Sequence, residues 1–171
     1  MRLTDGVVCV REFQCADISL KVEWINDPEN NEFLHYDLPL EYEKTLRWYE
    51  NRNRAARMDG VIEYKGIPVG LIGLLGIDMT NQKAELYISM GDKRYKRRGI
   101  GFRAVHLMLE YAFGALGVNK IFLNVDAENE AACRLYEKAG FACEGYFSQD
   151  LMHRGRLIDR KRYAVLKEDF R

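Results

Sequence analysis

The 171-residue chain carries no surplus of either charge. Lysine plus arginine and aspartate plus glutamate are both 26, so no global field draws it to nucleic acid or to a membrane surface. The four cysteines, Cys9, Cys15, Cys133 and Cys143, form no CxxC pair, and His35, His106 and His153 are scattered. Such spacing argues against a disulfide framework and against a metal site, and it points to a cytoplasmic protein. No segment is long and apolar enough to span a bilayer. The opening MRLTDGVVCVREFQ lacks the apolar run of a signal peptide. No repeat, linker or low-complexity tract divides the chain, so residues 1–171 read as one domain. With 47% hydrophobic and 30% charged residues, that domain is globular and able to bury a core.

Periodicity then places the elements. Val7 to Val10 predict a short strand, and Ile18, Val22 and Ile25 a helix that Asn26-Asp27-Pro28 interrupts. Tyr42, Leu46 and Tyr49 predict a second helix after Pro39. Val61 to Tyr64 and Val69 to Ile77, joined by Lys65-Gly66, read as a hairpin. In the next strand Leu86, Ile88 and Met90 alternate with Glu85, Tyr87 and Ser89. Val105, Met108, Leu109, Ala112 and Leu116 then fall on one helical stripe. Ile121 to Val125 form an apolar strand, and Ala132, Leu135, Tyr136 and Ala139 a helix closed by Gly140. Phe141 to Asp150 and Arg160 to Leu166 close the chain as two strands around His153-Arg154-Gly155.

Between the strand ending at Met90 and the long helix lies a basic, glycine-bearing loop, Lys96-Arg97-Arg98-Gly99-Ile100-Gly101. A strand feeding such a turn into a helix makes an anion site, because the first helical amides have no internal partner and the dipole's positive end faces outward. Gly99 and Gly101 allow close backbone approach. No GxxxxGK[ST] run exists, and the loop lies too late in the chain for a dinucleotide fingerprint. The loop resembles the pyrophosphate loop [RQ]-x-x-G-x-[GA] of the GNAT superfamily of acetyl-CoA-dependent N-acetyltransferases, with Lys96 in place of the usual Gln or Arg. The segment Val125-Asp126-Ala127-Glu128-Asn129 through Leu135-Tyr136 to Gly140-Phe141 resembles the family's second marker. The element order matches as well.

The resemblance implies an α/β (α+β) fold with a mixed central sheet of about seven strands and about four flanking helices. It implies acetyl-CoA as cosubstrate, with no metal. The main chain of Ser89, Met90 and Gly91 should pair with the pantetheine arm and polarise the thioester carbonyl. Lys96, the amides of Arg97, Arg98, Gly99, Ile100, Gly101 and Phe102, and Asn129 should hold the rest of the cofactor.

Acetyl transfer needs a neutral amine, and a lysine-like amine of pKa near 10.4 is neutral only about once in 2,500 at pH 7, a deficit of roughly 4.6 kcal/mol. A base reduces that cost. Glu85 lies eleven residues before Lys96, the spacing of the catalytic glutamate in histone-type members. Many relatives instead use a carboxylate on the next strand, where this chain has Asn124. Tyr136 matches the family tyrosine beside the sulfur, and a phenol carries a proton for the leaving thiolate at neutral pH. Direct attack in one cleft then needs no acyl-enzyme, and nothing places Cys133 as a nucleophile.

For the acceptor, Ala16 to Glu50 holds nine acidic and three basic residues, with Glu29, Glu32 and Asp37 as candidate contacts for a cationic amine. The segments Trp24 to Glu29 and Glu144 to Asp159 resemble the ribosomal-protein and polyamine branch and the amino-sugar-nucleotide branch. A small-molecule amine, polyamine or nucleotide-linked amino sugar, is the expected acceptor. A protein N-terminus comes second, and a non-catalytic acetyl-CoA sensor is the alternative from another class. If the chain assembles, a homodimer is expected.

Overall fold

Lys65 and Gly66 both take positive φ, 51° and 81°, and reverse the chain between two strands whose middles are buried on both faces. That hairpin is the middle of a sheet built almost wholly from antiparallel neighbours. The computed structural model describes residues 1–171. Its strands are β1 (Arg2–Thr4), β2 (Val8–Glu12), β3 (Met58–Tyr64), β4 (Ile67–Asp78), β5 (Lys83–Met90), β6 (Lys120–Asp126), β7 (Ala142–His153) and β8 (Arg156–Leu166), and its helices α1 (Ile18–Asn26), α2 (Tyr42–Asn51), α3 (Ile100–Tyr111) and α4 (Glu130–Lys138). The sheet order is β1-β2-β3-β4-β5-β6-β8-β7.

Eight strands form where the periodicity predicts seven. The additional one is β1, whose three residues are too short to show alternation. Pairing alone defines it, with Leu3 opposite Val10 and Thr4 opposite Cys9. The four helices occur as expected, and a π-helical turn, Ala112–Leu116, continues α3 before Gly117 (φ 78°) ends it. The last two strands run to within two residues of each other, closer to the turn than their apolar content indicates.

The sheet has a core on each face. Ile62, Ile72, Ala84, Leu86 and Leu123 meet Val105, Met108 and Tyr136 of α3 and α4 in a cluster of 25 buried residues. On the other face Val61 and Leu71 meet Phe13, Ile18 and Trp24, with Trp48, Tyr49 and Tyr87 packed alongside. Because strand side chains alternate, Glu85, Tyr87 and Ser89 share this second face.

One irregularity positions everything that follows. β5 and β6 are the sheet's single parallel pair, joined only at Lys83↔Lys120, Ala84↔Ile121 and Glu85↔Phe122. Past Glu85 they diverge. β5 stays with β4 as far as Met90↔Gly70, and β6 follows β8 as far as Asp126↔Arg160. The result is a wedge opening toward the C-terminal ends of both strands.

Candidate active site

From Leu86 to Met90 the β6-facing edge of β5 has no strand partner. An unpaired edge inside a sheet is a ready template for an extended, amide-bearing ligand. The wedge opens toward the loop before α3. Arg97 (φ 61°) and Gly99 (φ 74°) both take left-handed conformations there, and Gly99 caps the helix. None of the six amides from Arg97 to Phe102 donates to a protein acceptor; the first to do so is Arg103, to Gly99 O at 3.2 Å. Consecutive free amides at a helix start form an anion cradle. The cradle and the unpaired edge fit a pyrophosphate joined to a pantetheine arm.

At the apex, the expected proton handlers stand on opposite faces of the sheet. Glu85 Oε1 accepts from Asn124 Nδ2 at 3.1 Å, and Asn124 Oδ1 accepts from Arg162 Nε at 3.2 Å. Asn124, at the position where some relatives carry a carboxylate base, thus orients Glu85. On the α4 face Tyr136 packs against Phe141 and Tyr163, and Tyr163 is the register partner of Leu123. The Tyr136 hydroxyl has no protein partner, and burial, with Cys133 adding to it, pushes its phenol well above the ordinary range. It keeps its proton at neutral pH.

Gly91, Lys96 and Asn129, all expected at the cofactor, have protein partners. The Gly91 amide donates to Val69 O at 2.9 Å, and its carbonyl accepts from Asn30 Nδ2 at 2.7 Å. Both main-chain groups are engaged, and those of Ser89, opposite Leu71 in the same ladder, also point to β4, so of Ser89, Met90 and Gly91 only Met90 faces the open edge. The position is glycine because Trp24's indole occupies the space of a Cβ. Lys96 does not reach toward the cradle; its Nζ donates to Asn30 Oδ1 at 2.6 Å and to Glu29 O at 3.4 Å. Asn129, also expected at the cofactor, has a local task as the cap of α4, where its side chain accepts from Ala132 N at 3.2 Å.

Asn30 is the residue that motif reading missed. It also donates to Trp24 O at 3.1 Å, so one side chain ties α1, the end of β5 and the cradle loop together. Its partners are 61 and 66 residues away, beyond any local signal. Glu29, one of the acidic candidates, pairs with Lys93 at 3.0 Å, whereas Glu32 and Asp37 remain exposed. Farther along the same lip His35 Nε2 lies 2.7 Å from Asp126 Oδ1, at the end of β6. His153, at the tip of the β7–β8 hairpin, packs edge-on to His35 at 4.7 Å. Its Nε2 is buried without a partner, and burial with His35 beside it lowers its pKa.

A profile described as an acetyltransferase (GNAT) domain matches residues 8–142. The chain belongs to the GNAT family. Among curated GNAT relatives, a spermidine N(1)-acetyltransferase of Escherichia coli K12 is 31% identical over 110 residues, 64% of this chain and 59% of the relative. The chain thus aligns with less than two thirds of that relative's length. An uncharacterized N-acetyltransferase p20 of Bacillus licheniformis is 23% identical over 167 residues, 94% of this chain and 93% of that protein. The GNAT fold itself is shared with a spermidine N-acetyltransferase of Vibrio cholerae solved with CoA and spermine. The TM-score there is 0.88 at 24% identity, covering 96% of this chain and 98% of the other. These named acceptors are polyamines, so the nucleotide-linked amino sugar finds no support among them.

Proposed function

We propose that the chain, as a single GNAT domain over residues 1–171, transfers the acetyl group of acetyl-CoA to a primary amine of a polyamine. The observation that carries the reading is the wedge, with free amides at its mouth, Glu85 on one face and Tyr136 on the other. The likeness to spermidine acetyltransferases supports the acceptor class.

In this reading the amides from Arg97 to Phe102 bind the pyrophosphate, and the open β5 edge at Met90 aligns the pantetheine and the thioester carbonyl. The bound cosubstrate supplies the activated acetyl group. Glu85, oriented by Asn124, receives the proton of the acceptor ammonium, directly or through water, so that the nitrogen lone pair attacks the carbonyl carbon. As the C–S bond breaks, Tyr136 gives its proton to the departing sulfur, and the second proton of the attacking nitrogen, released through water, restores the phenol. Acetyl amide and free thiol leave, and no acyl-enzyme forms. Glu32 and Asp37 attract the cationic chain of the acceptor from the exposed lip, while Glu29 is committed to Lys93.

Thiol release from acetyl-CoA with spermidine, spermine, amino sugars and peptide N-termini tests the proposal. Saturable release with polyamines is expected. Binding of acetyl-CoA with no release for any amine would instead make the chain an acetyl-CoA sensor.

A further inference from the structure

Behind α2, on the acceptor face of the sheet, a second charged cluster takes no part in the chemistry above. Asp59 of β3, 2% exposed in its side chain, accepts from Arg57 Nε at 2.9 Å, Arg57 Nη2 at 2.7 Å and the Tyr87 hydroxyl at 2.8 Å. Arg52, 4% exposed, brings its Nε within 3.5 Å of the same carboxylate. Asp59 is therefore saturated, yet the cations around it are not. Lys21 is 7% exposed, with Nζ 3.8 Å from the Trp48 ring centroid, 5.7 Å from Tyr36 and 5.8 Å from Phe13. It has no hydrogen-bond acceptor, and Asp59 is the single acid acting on it. Burial lowers its pKa to about 8, which still leaves it charged at neutral pH. Burial raises the phenols of Tyr36 and Tyr87, so neither supplies a second negative charge.

Three cations, Lys21, Arg52 and Arg57, thus face one carboxylate, a surplus of two charges in a mostly buried place. The aromatic rings offset part of the Lys21 cost. They leave the guanidinium forks unsatisfied. Arg57 commits Nε and Nη2, and Arg52 commits Nη1 to Tyr49 O, so Nη1 of Arg57 and Nη2 of Arg52 are free donors. Both arginines line an open surface hollow of about 330 Å³ whose other walls include Trp48, Asn53, Ala56 and Leu75.

We infer that this hollow is a second ligand site, for a small organic carboxylate with a flat apolar body. The free Nη1 of Arg57 and Nη2 of Arg52 offer one charge-assisted donor group for each oxygen of a carboxylate, with both guanidiniums held in place by their other bonds. The Trp48 ring and the Ala56 and Leu75 side chains receive the apolar part. A pocket of this size lies at the lower end of ligand cavities. The same surplus charge repels a polyamine, so the site is not an extension of the acceptor lip. It nevertheless adjoins the wedge. Leu75 is the register partner of Glu85, and Asp59 holds the hydroxyl of Tyr87 on β5.

Benzoate is the probe. Titrated at constant ionic strength against the full chain, it should give a saturable change in tryptophan fluorescence and a rise in Tm. Inorganic phosphate and spermidine should give neither. Arg52→Gln, which removes a fork, and Ala56→Phe, which fills the hollow and leaves every charge in place, should each weaken benzoate at least about tenfold. No saturable response of the wild-type chain overturns the site. Unchanged affinity in both variants overturns its location, and an equal response to phosphate overturns the carboxylate assignment.

Discussion

The two proton handlers proposed above, Glu85 and Tyr136, separate at the level of single atoms. Tyr136→Phe keeps the packing against Phe141 and Tyr163 and deletes only the hydroxyl. Acetyl-CoA should still bind, while turnover falls by roughly two to four powers of ten with no rescue at high pH. Glu85→Gln removes the base, so its deficit should shrink as pH rises and free amine becomes abundant. A pH–rate profile of kcat/KM for both variants checks the pair, and a wild-type profile for Glu85→Gln would place the base elsewhere. Lys21 gives a third prediction at this scale. Its pKa falls from 10.5 unfolded to about 8 folded. The unfolded chain therefore binds more protons between those values, and stability rises with pH through that window. Below about pH 8 the buried charge costs up to about 3 kcal/mol before ring contacts offset it. Lys21→Met should be more stable than wild type near pH 7, with the gap closing toward pH 10. Urea midpoints at the two pH values measure this.

Among the elements, the cradle loop and the α1–α2 segment matter most. Gly99 sits at φ 74° with nothing within 4 Å of a Cβ, so its requirement is conformational rather than steric. Gly99→Val places a β-branched residue in the left-handed region at a cost of about 1–3 kcal/mol, which turns the amides away. Calorimetry should show lost acetyl-CoA binding with an unchanged circular dichroism spectrum. The Asn30–Lys96 contact couples this loop to the acceptor side. Asn30→Ala and Lys96→Ala should each raise the KM of the amine, and the double variant should fall short of their sum, as for residues in direct contact. Lys96→Gln retains a donor and should behave close to wild type.

At the scale of the molecule, net charge is zero, so any steering of a cationic acceptor is local. Neutralising Glu32 and Asp37 together should raise the polyamine KM. Added salt should do the same to the unmodified chain, because it screens exposed charges from one another. A KM indifferent to both treatments would leave these carboxylates as a solvated face.

The order of strands and helices was written in the sequence, because period-two and period-3.6 burial are local properties of a chain. The glycine-bearing turn before α3 and Tyr136 each lie inside a short motif, whereas Glu85 was singled out only by its spacing from Lys96. β1 was not legible, since three residues carry no period and only β2 defines them. Nor were the tasks of Gly91 and Lys96, which Asn30 takes up from the far side of the wedge. Lys21 falls on the Ile18–Ile25 helical stripe, a hint of burial, but nothing local pairs it with Asp59, Arg52 and Arg57. Local periodicity determined the elements. Which polar groups are saturated and which stand free was decided only when strands distant in sequence came within hydrogen-bonding reach.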